Sequence, residues 1–268
     1  MRRLPFLSVF AVAGALAQPV SIQFKSVDRA ILRERLNRVS TDNLQCAADH
    51  QLREQPVKGS KAPNIICTRP GQSENVILVG ARLDWWGRAG QGMVDNWTGA
   101  VLLPTLYQSL PDAATRHTFV FVGFSDQESS AAGSRHYVRA LTREERQRIR
   151  AMIQLTSLGT APARVWMKQS DPRLINDLAR VAAAMKIPVT GVNIDEEIPR
   201  DDAAPFREAR IPTLSMYSLT AETFPLLGTP RDTVDAVRAE DYYDTYRLLA
   251  AYLMLLDATL ATPPPAAQ

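Results

Sequence analysis

The chain has 268 residues, of which 46% are hydrophobic and 22% charged, a globular balance that excludes a disordered polyelectrolyte. Its 31 basic residues against 28 acidic ones give a net charge of +3; without Arg2 and Arg3 the balance is 29 against 28. No basic run or interleaved aromatic stripe is present, which excludes nucleic acid as a partner.

Arg2 and Arg3 precede an apolar stretch, Leu4 to Leu16, with small residues at Ala15 and Ala17. This reads as a signal peptide over 1–17 and an exported protein, periplasmic or secreted. The alternative is a membrane anchor, but the stretch is shorter than the roughly 20 residues a spanning helix needs. No stable membrane span is therefore expected after cleavage. Residues 18–59 form an N-terminal helical segment, with Ile31, Leu32 and Leu36 on one face of a helix over 27–38. Cys46 and Cys67 are either bridged, as an oxidising compartment would favour, or two partly buried thiols.

An α/β domain is expected over 60–260. Strands fall at Asn64–Cys67 and Asn75–Ala81, on either side of a turn at Pro70 and Gly71. A helix follows over Thr98–Leu110, then a continuous apolar strand at His117–Phe124 of the doubly covered type. Ala151–Leu155 is a further strand, and Asp171 with Pro172 opens a helix carrying Leu174, Leu178, Val181 and Met185 on one face. Ile211–Met216 is a late strand and Glu240–Leu256 a long final helix with Tyr242, Tyr246, Leu249 and Leu253 inward. The Pro/Ala-rich tail 261–268 reads as disordered. Alternating strands and helices predict an α/β fold, a mostly parallel, mixed sheet with helices on both faces. In such sheets the site lies beyond the carboxyl ends of the strands.

Six segments in series carry a family resemblance: VILVGARLD (76–84), GMVDNWTGA (92–100), FVFVGFSDQESSAAGSRHYV (119–138), AMIQLTSLG (151–159), DDAAPFREARIP (201–212) and GTPRDT (228–233). Through them the chain resembles the di-zinc aminopeptidases related to bacterial leucyl aminopeptidase and glutaminyl cyclase. These are clan MH metallopeptidases of a phosphorylase/hydrolase-like fold. The resemblance implies two zinc ions on a shared carboxylate, a metal-activated water and a glutamate as general base.

Read residue by residue, the resemblance puts Arg82 where the family has a histidine ligand, with the supporting acid kept as Asp84. The bridging carboxylate falls on Asp95. The family's paired glutamates fall on Gln127, at the general-base position, and Glu128, a residual ligand. Thr156 stands for an aspartate ligand and Gly228 for a histidine. GFSDQESSAAGS (123–134) is thus the family's catalytic loop without its base. Asp95 and Glu128 remain as metal ligands, and the two zinc ions are not expected to bind. An arginine keeps its proton in proteins and cannot ligate, so Arg82 is expected to occupy metal space and pair with Asp95, Glu128 or Asp84.

Other residues offer weaker alternatives. His50 has no clear place, while His117 and His136 are expected away from the strand ends. Asp126 would act as base only through a one-residue slip. Ser125 lacks the second glycine of a nucleophile elbow. Trp85, Trp97 and Tyr217 stand between core packing and lining a cleft. Asp201 and Asp202 are expected in a solvated loop, the alternatives being to cap a loop or to attract an amine. The expected function is a pseudo-peptidase binding a peptide, an amine or a protein partner, with no cofactor. The alternatives are a weak or atypical metallo-aminopeptidase and an interaction domain with a filled cleft.

Overall fold

The computed structural model describes residues 6–12, 20–38, 52–60, 62–83, 91–125, 131–193 and 201–260. Eight strands form one mixed sheet: β3 (Leu52–Gln55), β4 (Asn64–Arg69), β5 (Val76–Arg82), β6 (Thr118–Phe124), β7 (Ile149–Leu155), β8 (Arg164–Trp166), β9 (Thr190–Val192) and β10 (Thr213–Tyr217). Their spatial order is β3-β4-β6-β5-β7-β10-β8-β9. The centre, β6-β5-β7-β10, is parallel, while β4 and β8 join it antiparallel.

The central strands are legible in the sequence because both of their faces are covered. On one face Ile77, Val79, Phe119, Phe121, Ile153 and Leu214 pack under four helices. These are α1 (Arg29–Asn37), α2 (Thr98–Ser109), α5 (Pro172–Met185) and α7 (Ala239–Thr259). On the other face Leu78, Val120, Val122, Phe124 and Met152 meet Tyr137 and Val138 of α3 (Ala132–Ala140) and Phe206 of α6 (Ala204–Glu208). Burying each such aliphatic or aromatic side chain contributes about 1.5–3 kcal/mol. The alternation along each strand is the period of two that a pleated sheet imposes.

The helices begin where the sequence signals place them. Asp171 caps α5, its Oδ1 accepting from the backbone N–H groups of Arg173 (2.9 Å) and Leu174 (3.3 Å), with Pro172 at the first helical position. A short helix, α4 (Arg143–Arg148), opens on a capping box between Thr142 and Glu145. Along α7, Tyr242, Tyr246, Leu249, Leu253 and Leu256 are all buried. Its tyrosine hydroxyls reach other elements: Tyr242 donates to the Thr98 carbonyl (2.6 Å), Tyr252 donates to the Leu174 carbonyl (2.9 Å), and Tyr246 accepts from the Val27 N–H (2.7 Å). Burial pushes the hydroxyl pKa of Tyr242 and Tyr252 well above its ordinary value.

The segment read as helical, 18–59, holds α1 but also two strands, β2 (Val20–Ser26) and β3. β2 pairs antiparallel with β1 (Phe6–Val12) in a separate two-stranded sheet, from Phe6 opposite Ser26 to Val12 opposite Val20. β1 lies within the stretch read as a leader. β2 escapes sequence reading because only Ile22 and Phe24 face the core, too few for a strong period. Cys67, on β4, is disulfide-bonded; Cys46 lies outside the described residues. No helix among the described residues is long and apolar enough to cross a membrane. The tail 261–268 is outside the described residues as well.

Candidate functional site

The site gathers at the carboxyl ends of β5, β7 and β10, where the parallel sheet places it. Arg82 closes β5, Thr156 follows β7, and the turn Met93–Trp97 leads into α2. The Arg82 guanidinium donates through Nη2 to Oδ1 of Asp95. Their side chains are 5% and 15% exposed, so this is a buried ion pair rather than a surface one. Such a pair is favourable only while both partners are present, because each alone would be a desolvated charge.

Two residues without a role in the sequence reading hold Asp95 in place. Asn96, 1% exposed, accepts from the Ser157 N–H (2.9 Å) through Oδ1 and donates to the Leu155 carbonyl (3.0 Å) through Nδ2. It thereby fastens the 93–97 turn to the end of β7. Gly99 allows this approach: a Cβ there would lie 2.7 Å from both the Asn96 Oδ1 and the Leu155 carbonyl oxygen. Asp232, 1% exposed, accepts from the Val94 N–H (2.6 Å) and at longer range from the Asp95 N–H (3.4 Å). Burial raises its carboxyl pKa above the ordinary range, opposed by the Val94 and Asp95 N–H donors. The sequence signal for both was present: Asn96 follows the matched Asp95, and Asp232 lies in the intact TPRDT run. The Asp95–Asn96 peptide bond is cis.

Substituting Asn96 with alanine should leave the buried Ser157 N–H without its partner, while the Leu155 carbonyl, paired with β5 in the sheet, loses only a second bond. An unpaired buried group costs about 1–3 kcal/mol, and that is the loss expected in denaturant unfolding. A change below about 0.5 kcal/mol, the scale of an ordinary surface substitution, would show that the turn is not held this way.

Thr156 is half-buried, and its N–H donates to the Met216 carbonyl (3.1 Å). Gly228 adopts a left-handed φ of 69°, and a Cβ built on it would meet no atom of the described residues within 4 Å. Arg82 and Asp95 thus touch, while the positions of Thr156 and Gly228 are tied to them through Asn96 and Asp232. Trp97 and Tyr217 are buried, 4% and 2% exposed, and neither the Trp97 Nε1 nor the Tyr217 hydroxyl has a hydrogen-bond partner among the described residues. Tyr217 packs with Val94, Trp166 and Leu219, and burial raises its hydroxyl pKa. The Ser125 Oγ is likewise buried without a described partner, and the Ser125 N–H donates to Oδ1 of Asn64 (2.9 Å). Asp201 does not simply face water: it pairs with Arg207 and accepts from the Ala203 N–H (2.9 Å), and Asp202 is buried.

His117 opens β6 at the far end of the sheet, with Nδ1 3.2 Å from Oδ1 of Asp257. His136 lies on α3. Asp84, Trp85, Asp126, Gln127, Glu128 and His50 lie outside the described residues. Among the described residues no group of three or more His, Cys, Asp or Glu side chains is arranged to hold a metal ion.

Residues 64–253 match the family model described as Peptidase family M28. The chain belongs to peptidase family M28. An aminopeptidase of Pseudomonas aeruginosa is 31% identical over 104 residues, which cover 38% of this chain and 19% of that protein. The M28 chain thus spans about a fifth of the length of that curated relative. Among solved structures, the LapA aminopeptidase of Legionella pneumophila aligns with a TM-score of 0.70 at 18% identity, covering 87% of this chain and 65% of that one. The glutaminyl cyclase of an Acidobacteriales bacterium aligns with a TM-score of 0.69 at 16% identity over 92% of this chain and 98% of that one. These structural likenesses bear on the fold, a mixed α/β sheet with helices on both faces.

Proposed function

We propose that this M28 chain is a non-catalytic member of its family, a pseudo-peptidase whose strand-end site binds a peptide or amine without cleaving it. The observation that carries the reading is the buried Arg82–Asp95 pair. The carboxylate that the resemblance assigns to bridging two zinc ions is taken by a fixed cation. A divalent ion sharing that carboxylate at about 4 Å from the guanidinium would be repelled by roughly 8 kcal/mol at an effective dielectric of about 20. The donor set at this position is an arginine, an aspartate and a threonine, which does not fit a zinc site. The residue at the general-base position is a glutamine, whose amide cannot take a proton from water, a loss of about 10²–10⁴ in rate.

The reading includes export. It is supported by the Arg2-Arg3 and Leu4–Leu16 pattern and by the disulfide at Cys67, a bond that persists in oxidising compartments.

The test is zinc content after exposure to excess metal and desalting, with hydrolysis of aminoacyl nitroanilides on the same sample. The expected result is fewer than about a tenth of an ion per chain, no turnover above background, and a melting temperature that rises with added peptide. One or two retained ions with chelator-sensitive hydrolysis would establish a metallo-aminopeptidase instead. No metal, no turnover and no peptide-dependent shift would leave an interaction domain with a filled cleft.

A further inference from the structure

At the opposite end of the sheet from the site, a cavity of about 650 Å³ opens where β7 and β10 begin and α5 starts. Its volume is in the range of small-molecule sites, roughly 300–1,000 Å³. Five arginines line it, namely Arg143, Arg146, Arg150, Arg173 and Arg210, with Asp171 as the one carboxylate and no lysine. Asp171 is already engaged, since its Oδ1 caps α5. The acids on α4 do not line the cavity, and Glu145 is turned back onto the Thr142 N–H (2.7 Å).

The guanidiniums are not spent on internal pairs. Among the described residues, Arg143, Arg150, Arg173 and Arg210 make no side-chain hydrogen bond or ion pair. Arg146 is anchored by Nε and Nη2 to the Leu141 carbonyl (3.2 and 3.1 Å), which fixes its fork at the cavity wall. Arg210 sits at φ 61°, in the left-handed region, where a non-glycine side chain is strained. Five guanidiniums against one carboxylate leave a surplus of four positive charges around one concave space. Like charges held together in this way destabilise the fold unless an anion joins them.

We propose that this cavity binds a ligand carrying two or more phosphate groups. Phosphate brings about −1.5 to −2 charges per group, so two groups match the surplus. The arginine fork pairs bidentately with phosphate oxygens, whereas the carboxylates of an acidic peptide bring half that charge each. Ile149, Ile211 and Leu260 form an apolar floor that keeps the bound groups partly desolvated. The site lies about 20 Å from Arg82, the length of a seven-residue strand, and does not depend on the function proposed above.

The test uses the intact purified chain and inorganic tripolyphosphate in calorimetry at low salt, beside pelleting with vesicles containing a phosphatidylinositol bisphosphate. Arg173→Gln/Arg210→Gln changes two exposed residues with no described partners, and its melting curve verifies folding. Tripolyphosphate binding weakened about a hundredfold in this variant, by about tenfold for the charge-assisted hydrogen bond lost at each arginine, is the expected result. Vesicle binding alone, abolished in the same variant, supports the same phosphate chemistry with a lipid headgroup as its source. The proposal is overturned if neither probe binds, if the variant binds as tightly as the parent, or if hexaglutamate binds as tightly as tripolyphosphate.

Discussion

Arg82→Ala melts about 6–20 °C below the parent chain. The substitution removes one member of a buried pair and leaves the Asp95 carboxylate desolvated beside Asp232, a second buried acid. Removing one partner of such a pair costs roughly 3–5 kcal/mol. For a domain of this size each kcal/mol moves Tm by about 2–4 °C. Removing Asp95 as well should recover a large part of the loss, because the carboxylate that Arg82 had paired is then gone too. Arg82→Lys should fall between, since it keeps the charge but loses the planar fork. The measurement is a set of thermal melts on these variants. An Arg82→Ala transition within about 2 °C of the parent would show that the pair does not hold the site.

Under the reading proposed above, a quadruple variant that supplies the donors the resemblance implies, Arg82→His, Gln127→Glu, Thr156→Asp and Gly228→His, is expected to bind zinc and to hydrolyse aminoacyl nitroanilides faster than the parent. Part of the backbone is held in place for it: Asn96 and Asp232 fasten the Asp95 turn, and a Cβ at Gly228 would meet no atom of the described residues within 4 Å. Histidine at φ 69° is strained but is among the residues that tolerate the left-handed region. Restoring the base alone is worth about 10²–10⁴ in rate, but only with a metal-bound water to deprotonate. The readouts are zinc per chain and nitroanilide turnover, and each single variant should show neither. A folded quadruple variant without zinc would mean that the site has diverged in backbone and not only in side chains.

The central strands and the long helices were legible because each carries its own burial pattern. β5 and β6 are nearly continuous apolar runs, β7 and β10 are mostly apolar with Gln154 and Ser215 set among buried neighbours, and α5 and α7 repeat their apolar residues at helical spacing between clear signals such as Asp171-Pro172. The edges were not. β8 and β9 have three residues each, and the sequence TGV of β9 is largely exposed, so neither offers a period to detect. β1 hides in an apolar stretch that a leader explains equally well. At the site, charge gave Arg82 the part of a counter-ion to Asp95, Glu128 or Asp84, because arginine can only be that, and the structure pairs it with Asp95. Asn96 and Asp232 were missed because their work is done on backbone N–H and carbonyl groups. Such groups are the same in every sequence, and only the fold brings them within reach.

The Arg82–Asp95 pair also constrains the mutational routes open to the chain. A histidine at position 82 in place of the arginine takes away the counter-charge before any second ligand exists to attract a metal. A histidine at position 228, introduced alone, adds backbone strain while Arg82 still holds Asp95. Under the reading proposed above, either of these first steps costs stability with no gain in activity to offset it. The guanidinium works as a latch: once in place, it makes return by single substitutions less accessible than further drift of the residues around it.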